Sequence, residues 1–464
     1  MISILVFASL AIQQQQLPAS GAWAVTNNPA GSFAVDSGGS IIAGTAKVSV
    51  RSLGTDPQAT GSVMFSLPAD TLRMRRVTLS GEVRGRGSAS LYLRGANYAA
   101  RAFTMDGGAL TPADTQWAHH DYHVIVSRTA TRIDILASLR GVGEIEARGL
   151  KVSVENLPAI STALSSDAKR ELDSAVMIAR RSSFWRDTVS WASVEADVRA
   201  IAAGAQTPAE TYPAIRELLS RLGDHHSFLM PAQQSTQWQN GTLTKNPLPT
   251  VKSFDGGVGY ISVPAYSGGD AAGIREYAEG AYKLLIQTAP STSCGWLLDL
   301  RQNGGGNMWP MLAGLKPFLG TVGLGSFAGP NGKGAPWIAG QNIAAEAPEH
   351  LAPLESSAVA VLIGPRTASS GEAVAVAFHG RPQTRFLGQP TAGLANANGT
   401  MRLPDGALMM VMTAVDVDRN GQKFGEKVTP DETIAPTTGG QTDAPDDPTV
   451  AAALRWLHAQ PGCR

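Results

Sequence analysis

Several short stretches of this chain combine residue types that could carry acyl-transfer chemistry. Thr367-Ala368-Ser369-Ser370-Gly371-Glu372 sets a serine turn of small residues behind the apolar run Ala358-Val359-Ala360-Val361-Leu362-Ile363. That run is short, continuous and rich in β-branched residues, the pattern of a strand covered on both faces, and Gly364-Pro365 ends it. The stretch from Glu372 to Phe378 has the length and apolar spacing of a helix that begins at the turn. The N–H groups of Ser370 and Gly371 would then point out of a helix N-terminus, where developing negative charge is favoured. An isolated serine before a helix is also an ordinary N-cap, so other segments have to decide.

Trp296-Leu297-Leu298-Asp299-Leu300-Arg301-Gln302-Asn303-Gly304-Gly305-Gly306-Asn307 is a second buried strand running into a turn. Its three glycines let the backbone approach a ligand closely and aim an N–H at an oxyanion. A phosphate loop would need Lys-Ser/Thr after the glycines, and neither follows. Leu222-Gly223-Asp224-His225-His226-Ser227-Phe228 follows a helix signalled by Thr207-Pro208-Ala209-Glu210, with Tyr212, Ile215, Leu219 and Leu222 on its buried face. The two histidines on its exit turn are a surface turn or a proton-handling pair. Gly388-Gln389-Pro390-Thr391-Ala392-Gly393-Leu394-Ala395-Asn396 reads, by itself, as a plain loop.

Taken in order, these segments resemble the tail-specific or C-terminal-processing serine peptidase family, which includes the tricorn core protease and the repeats of interphotoreceptor retinoid-binding protein. The similarity covers roughly residues 165 to 455. It rests on the Asp-x-His-Ser turn at 224–227, the strand opening at 258–264, the Asp-Leu-Arg-x-Asn-x-Gly-Gly segment at 299–306, the Thr-Ala-Ser-x-Gly-Glu segment at 367–372, the Gly-x-Pro-Thr-Ala-Gly segment at 388–393 and Val428-Thr429-Pro430-Asp431. The resemblance implies a crotonase-like α/β core and peptide-bond hydrolysis, with Ser369 as nucleophile. It also implies the Ser370 N–H and a glycine amide of the Asn303 turn, Gly305, as oxyanion donors.

The bacterial processing branch carries a lysine base after the Pro-Thr-x-Gly motif, but Leu394 stands there, so a Ser-Lys dyad is not implied. The tricorn-like branch places a histidine at the position of His226, preceded by a serine where this chain has His225. A base beside the serine suits attack at neutral pH. The glutamate that orients the imidazole in that branch corresponds to Glu426, with Asp418 in reserve. Many relatives carry a PDZ domain where this chain has only residues 228–258, so the usual tail-binding domain is expected to be absent. Two rivals share the core: a catalytically silent peptide- or lipid-binding module, and a crotonase-type acyl-CoA enzyme. No cofactor or metal is expected.

The elements that must position these residues follow from the rest of the chain. A length of 464 residues with 43% hydrophobic content accommodates two or three domains. Lys+Arg and Asp+Glu both number 38, and this balance argues against nucleic-acid partners or a polybasic membrane contact. Residues 2–12 are apolar and suit a signal-peptide core with a cleavage site near Ser20-Gly21-Ala22, although no charged residue precedes Asp36. Residues 1–24 are therefore expected to be a leader and the protein exported, periplasmic or extracellular, with no transmembrane span. Cys294 and Cys463, the only cysteines, could close a disulfide or stay as packed thiols.

Short alternating stretches in residues 25–157, such as Val77–Val83, Ser90–Leu93 and Arg132–Leu136, separated by turn residues, predict a β-sandwich or jelly roll. This region loosely resembles galactose-binding-like modules, which implies a carbohydrate or other ligand. In an alternating strand His119, Asp121 and His123 would share a face, but an ordinary strand explains them as well. Residues 160–230 read as a helical lead-in to the peptidase, and 250–458 as its core, with helices at 270–289, 307–319 and 371–380 alternating with strands.

Overall fold

The computed structural model describes residues 22–57, 59–96, 102–243, 246–332, 334–340, 343, 345–435, 443–461 and 463. Residues 1–21 of the expected leader lie outside these. The chain divides into two compact units, one of residues 1–172 and 190–221, the other of 173–189 and 222–464.

The first unit is rich in antiparallel sheet: β1 (Ala22–Asn28), β2 (Phe33–Gly38), β3 (Ala46–Ser52), β4 (Thr60–Pro68), β5 (Arg75–Ala96), β6 (Ala102–Ala109), β7 (Ala118–Ile125) and β8 (Arg132–Asn156). The stretches Val77–Val83 and Ser90–Leu93, expected as separate strands, are two halves of β5. The register shift between Arg86 and Ser88, with Gly87 at φ +80°, bends the strand without ending it. One half of the β5–β8 pair extends through β7 and β3, the other through β6 and β4. Val83, Leu79 and Val50 from one half share a core with Leu91, Ile135 and Val63 from the other.

Three helices follow, α1 (Ser166–Ser182), α2 (Trp191–Ala202) and α3 (Tyr212–Ser220). Residues 190–221, expected in the peptidase lead-in, cluster with the sheet-rich unit. The Arg128 guanidinium pairs with Asp197 of α2, and Arg221 Nη1 binds the same carboxylate at 2.9 Å.

The second unit runs β9 (Phe228–Met230), α4 (Ala232–Gln239), β10 (Thr250–Phe254), β11 (Val258–Ser262), α5 (Ala271–Thr288), β12 (Gly295–Asp299), α6 (Met308–Gly314), α7 (Lys316–Leu319), β13 (Ser326–Ala328), β14 (Val359–Ile363), α8 (Ser370–Phe378), β15 (Thr384–Gly388), β16 (Asn396–Arg402), β17 (Leu408–Val417), β18 (Glu432–Thr433) and α9 (Pro448–His458). A sheet of order β10-β11-β12-β14-β15-β18 is parallel except at β10. Helices α5 and α8 are the crossovers from β11 to β12 and from β14 to β15, the α/β alternation the sequence predicts.

Both faces of this sheet are covered, which is why its strands read as unbroken apolar runs. Ile261, Trp296, Leu298 and Val361 pack with Tyr277, Met311 and Val374 on one side. Tyr260, Leu297, Ala360 and Leu362 pack with Val450, Ala453 and Leu457 of α9 on the other. A disulfide joins Cys294, just before β12, to Cys463 beyond α9. A second antiparallel sheet places β17 between β16 on one side and β13 and β9 on the other. Among the described residues, 228–258 form only β9, α4 and β10, and no helix is long and apolar enough to cross a membrane.

Candidate active site

The serine turn lies where β14 ends and α8 begins, at the carboxyl edge of the parallel sheet, the usual place for a site in such folds. Ser369 caps α8 with φ +53° and ψ −121°. A non-glycine residue there costs about 1–3 kcal/mol and persists only where its surroundings hold it.

The holder is Glu372, fully buried one turn into the helix. Its Oε2 accepts the N–H groups of Ser369 and Leu394, both at 2.8 Å. Its Oε1 accepts the Gly393 N–H at 2.9 Å and the Thr391 hydroxyl at 2.5 Å. Burial pushes the Glu372 pKa up, and these bonds pull it back. With two N–H donors on Oε2 and a hydroxyl and an N–H on Oε1, Glu372 clamps the serine turn to the loop at 391–394. Nearby, Asp416 on β17 is wholly buried with no hydrogen-bond partner for either oxygen, and burial first, then the Glu372 charge, holds its pKa well above the usual carboxylate range.

The glycine-rich turn presses against the serine turn from the end of β12. Asn303 is its hub: its carbonyl accepts the Ala368 N–H at 3.0 Å, and its Nδ2 donates to the Val263 carbonyl at 2.9 Å. A Cβ on Gly305, at φ +102°, would fall 2.7 Å from Ser369 Cβ, so only glycine allows this approach. A Cβ on Gly371 would meet the Asn303 carbonyl at 2.5 Å. Upstream, Arg301 anchors the turn between Asp299, at 2.7 Å, and Asp447, at 2.9 Å.

Gly305 thus lies against Ser369, and its N–H donates to Asn303 Oδ1 at 3.0 Å. Ser370 opens α8, where its N–H has no intrahelical acceptor, and its hydroxyl donates to the Gly306 carbonyl at 2.6 Å.

His226 is positioned by an Asp-centred turn. The buried Asp224 carboxylate accepts the N–H groups of His226, at 2.8 Å, and Ser227, at 2.6 Å, and the Ser227 hydroxyl at 2.8 Å. His225 is exposed and His226 half-buried. The His226 Nδ1 lies 2.6 Å from Asn396 Oδ1, which can accept its hydrogen. Asn398 Nδ2 donates to the His226 carbonyl at 2.9 Å.

The partner at Nδ1 is thus an amide and not the carboxylate expected from the sequence. Glu426 is exposed, one residue beyond Gly425, whose carbonyl accepts from Asn396 Nδ2 at 3.4 Å. Asp418 is buried and engaged by His379 Nδ1 at 2.7 Å. Sequence reasoning missed Asn396 as a partner because a loop-end asparagine carries no signal of its own. Its only available cue is that it opens β16 directly after the Pro-Thr-Ala-Gly turn.

Serine and histidine turns are joined through this frame. Glu372 grips Ser369 and Leu394, the Leu394 carbonyl accepts the Asn396 N–H at 2.7 Å, and Asn396 receives His226. In the sheet-rich unit, His119, Asp121 and His123 are all exposed on β7, with His119 Nε2 3.3 Å from Asp121 and His123 Nδ1 2.9 Å from Thr78 Oγ1. No group of three metal-binding side chains converges among the described residues.

Comparison with known proteins adds to this geometry. The sequence model of Peptidase family S41 matches residues 257–434. The nisin-resistance protein of Lactococcus lactis subsp. lactis is 27% identical over 280 residues, spanning 59% of this chain and 82% of that protein. A lipoprotein from Streptococcus agalactiae is similar in structure, with a TM-score of 0.55 at 22% identity over 64% of this chain and 98% of the lipoprotein, a likeness of fold.

Proposed function

Because this chain belongs to peptidase family S41, through residues 257–434, we propose that it is a serine-type peptidase of the tail-specific kind on a crotonase-like core. Ser369 Oγ attacks the peptide carbonyl, and His226 takes its proton and passes it to the leaving amine. Asn396 holds the imidazole, a neutral partner that orients the ring without adding a negative charge. The Ser370 N–H at the head of α8 stabilises the tetrahedral oxyanion. Gly305 serves as second donor by sharing or releasing its bond to Asn303 Oδ1. Water then hydrolyses the acyl-enzyme.

The observation that carries this reading is the strained Ser369, held by a carboxylate that also grips the loop leading to the histidine's partner. Export is part of the proposal: the Cys294–Cys463 disulfide suits an oxidising compartment.

The test is labelling with a serine-directed phosphonate beside a Ser369→Ala control, followed by peptide hydrolysis by His226→Ala. Nisin, from the name of the Lactococcus relative, is a first substrate to try. Labelling confined to Ser369 and a loss of about 10²-fold or more in His226→Ala are expected. No labelling, together with retained ligand binding, would favour the silent module instead.

A further inference from the structure

The face of the second sheet that receives His226 continues into an apolar shelf. On β16, Asn396, Asn398 and Thr400 alternate onto one face, the first two bonding the histidine turn. Thr400 pairs with Met410 of β17, and Met410 pairs in turn with Phe228 of β9, so these three side chains form the next row of that face. Leu229 and Met409 on the opposite face are buried, as are Leu408 and Met412 on either side of Met410, so β17 is covered along both faces and the solvent-facing part of this row lies at its Phe228 edge. Phe228 is nevertheless 44% exposed, two residues from His226.

A second ring stands at the start of the same turn. Trp185 is 40% exposed, and a Cβ on Gly223 would meet its Cβ and Cγ at 3.6 Å. The backbone fixes both rings to one residue: Phe184 N–H donates to the Met412 carbonyl at 2.8 Å, and the Met412 N–H donates to Ser227 Oγ at 2.9 Å. Two large aromatics left partly in water on either side of a histidine turn are positions where an incoming apolar group displaces solvent.

We propose that Phe228, beside Met410 and bracketing the histidine turn together with Trp185, is an apolar subsite for a bulky hydrophobic side chain on the leaving-group side of the scissile peptide bond. This rests on the peptidase reading above. The side of the bond follows from the chemistry, because the group that protonates the departing amine must lie on the amine's side. Met410 adds a polarisable, conformationally adaptable floor suited to side chains of differing shape.

The experiment uses the full chain and two matched peptides, differing only in Leu or Gly immediately after the scissile bond. Phe228→Ala should lower kcat/KM for the Leu peptide at least 10-fold more than for the Gly peptide, through KM, and Phe228→Leu should restore most of it. Equal losses on both peptides, or no loss, would overturn the proposal. Binding of the same peptides to Ser369→Ala and to Ser369→Ala/Phe228→Ala, followed by Trp fluorescence, reads the shelf independently of turnover. A Leu preference that vanishes with Phe228 supports the shelf even if the wild type hydrolyses nothing, an outcome that would overturn only the peptidase reading. No preference in the first protein overturns the shelf and leaves the peptidase reading standing.

Discussion

Replacing Glu372 with glutamine tests whether one carboxylate holds the serine turn and the 391–394 loop together. The side chain keeps its shape and loses one acceptor. With the new amide nitrogen at the Oε1 position it faces the Gly393 N–H and the Thr391 hydroxyl; at Oε2 it faces the N–H groups of Ser369 and Leu394. The first placement is the less costly. Thr391 Oγ1 already accepts the Val428 N–H at 2.8 Å, so its own hydrogen loses its acceptor, and at least one buried N–H is orphaned. Hydrogen bonds to a charged group are worth about 1.5–3 kcal/mol each, and returning a buried charge to water offsets part of the loss, so a net destabilisation of about 2–4 kcal/mol is expected.

Urea titration of the second unit should show a lower midpoint with an unchanged slope, and a melting temperature lower by roughly 5–15 °C. Peptide hydrolysis should fall mainly in kcat, since the groups released, the Gly393 N–H and the Thr391 hydroxyl, belong to the loop that leads to Asn396 and so to His226. A Glu372→Gln protein within about 1 kcal/mol of wild type and of near-normal kcat would refute the clamp.

Asn396→Ala removes the Nδ1 partner of His226 and should reduce kcat by about 10-fold or more, bounded by the 10²–10⁴ that a general base contributes, with the melting temperature checked in parallel. Asp416 has a folded pKa above its unfolded value, so the native state keeps a proton the unfolded chain has lost. Stability from this group is full below about pH 4 and falls as pH rises toward the folded pKa. Asp416→Asn should therefore gain stability relative to wild type as pH rises above about 4, until the folded pKa is passed, as read by melts across pH, and a constant difference would contradict it. Cys463→Ser opens a loop between positions 169 residues apart and should cost about 3–5 kcal/mol by urea titration, with dithiothreitol doing the same to wild type only.

The local signals in the sequence were dependable where chemistry and periodicity acted over a few residues. The apolar run ending at Gly364 and the serine before Glu372 were enough to read β14, the turn and α8, which the structure shows at Val359–Ile363 and Ser370–Phe378. The partner of His226 was not legible, because Asn396 lies 170 residues away and meets it only through the pairing of β16 with β17, which is shifted by an irregularity at Ala397–Asn398. A search among carboxylates therefore pointed to Glu426 and Asp418, while the structure gives Asp418 to His379. Gly305 lies beside Ser369, but the side-chain acceptor on Asn303 that takes its N–H is invisible to a motif. In the sheet-rich unit, glycines that read as strand ends prove to be bends inside continuous strands of 22 and 25 residues.

The covalent ring closed by Cys294 and Cys463 encloses Ser369, Glu372, Asn396 and Phe228's neighbour Met410, whereas His226 and Phe228 lie outside it. A single backbone cut within the ring leaves the severed parts tethered. A cut in the 228–258 connection instead divides Ser369 from His226 into two molecules held by packing and hydrogen bonds alone. Loss of activity on nicking would then hinge on whether the break falls between His226 and Cys294 or elsewhere in the chain.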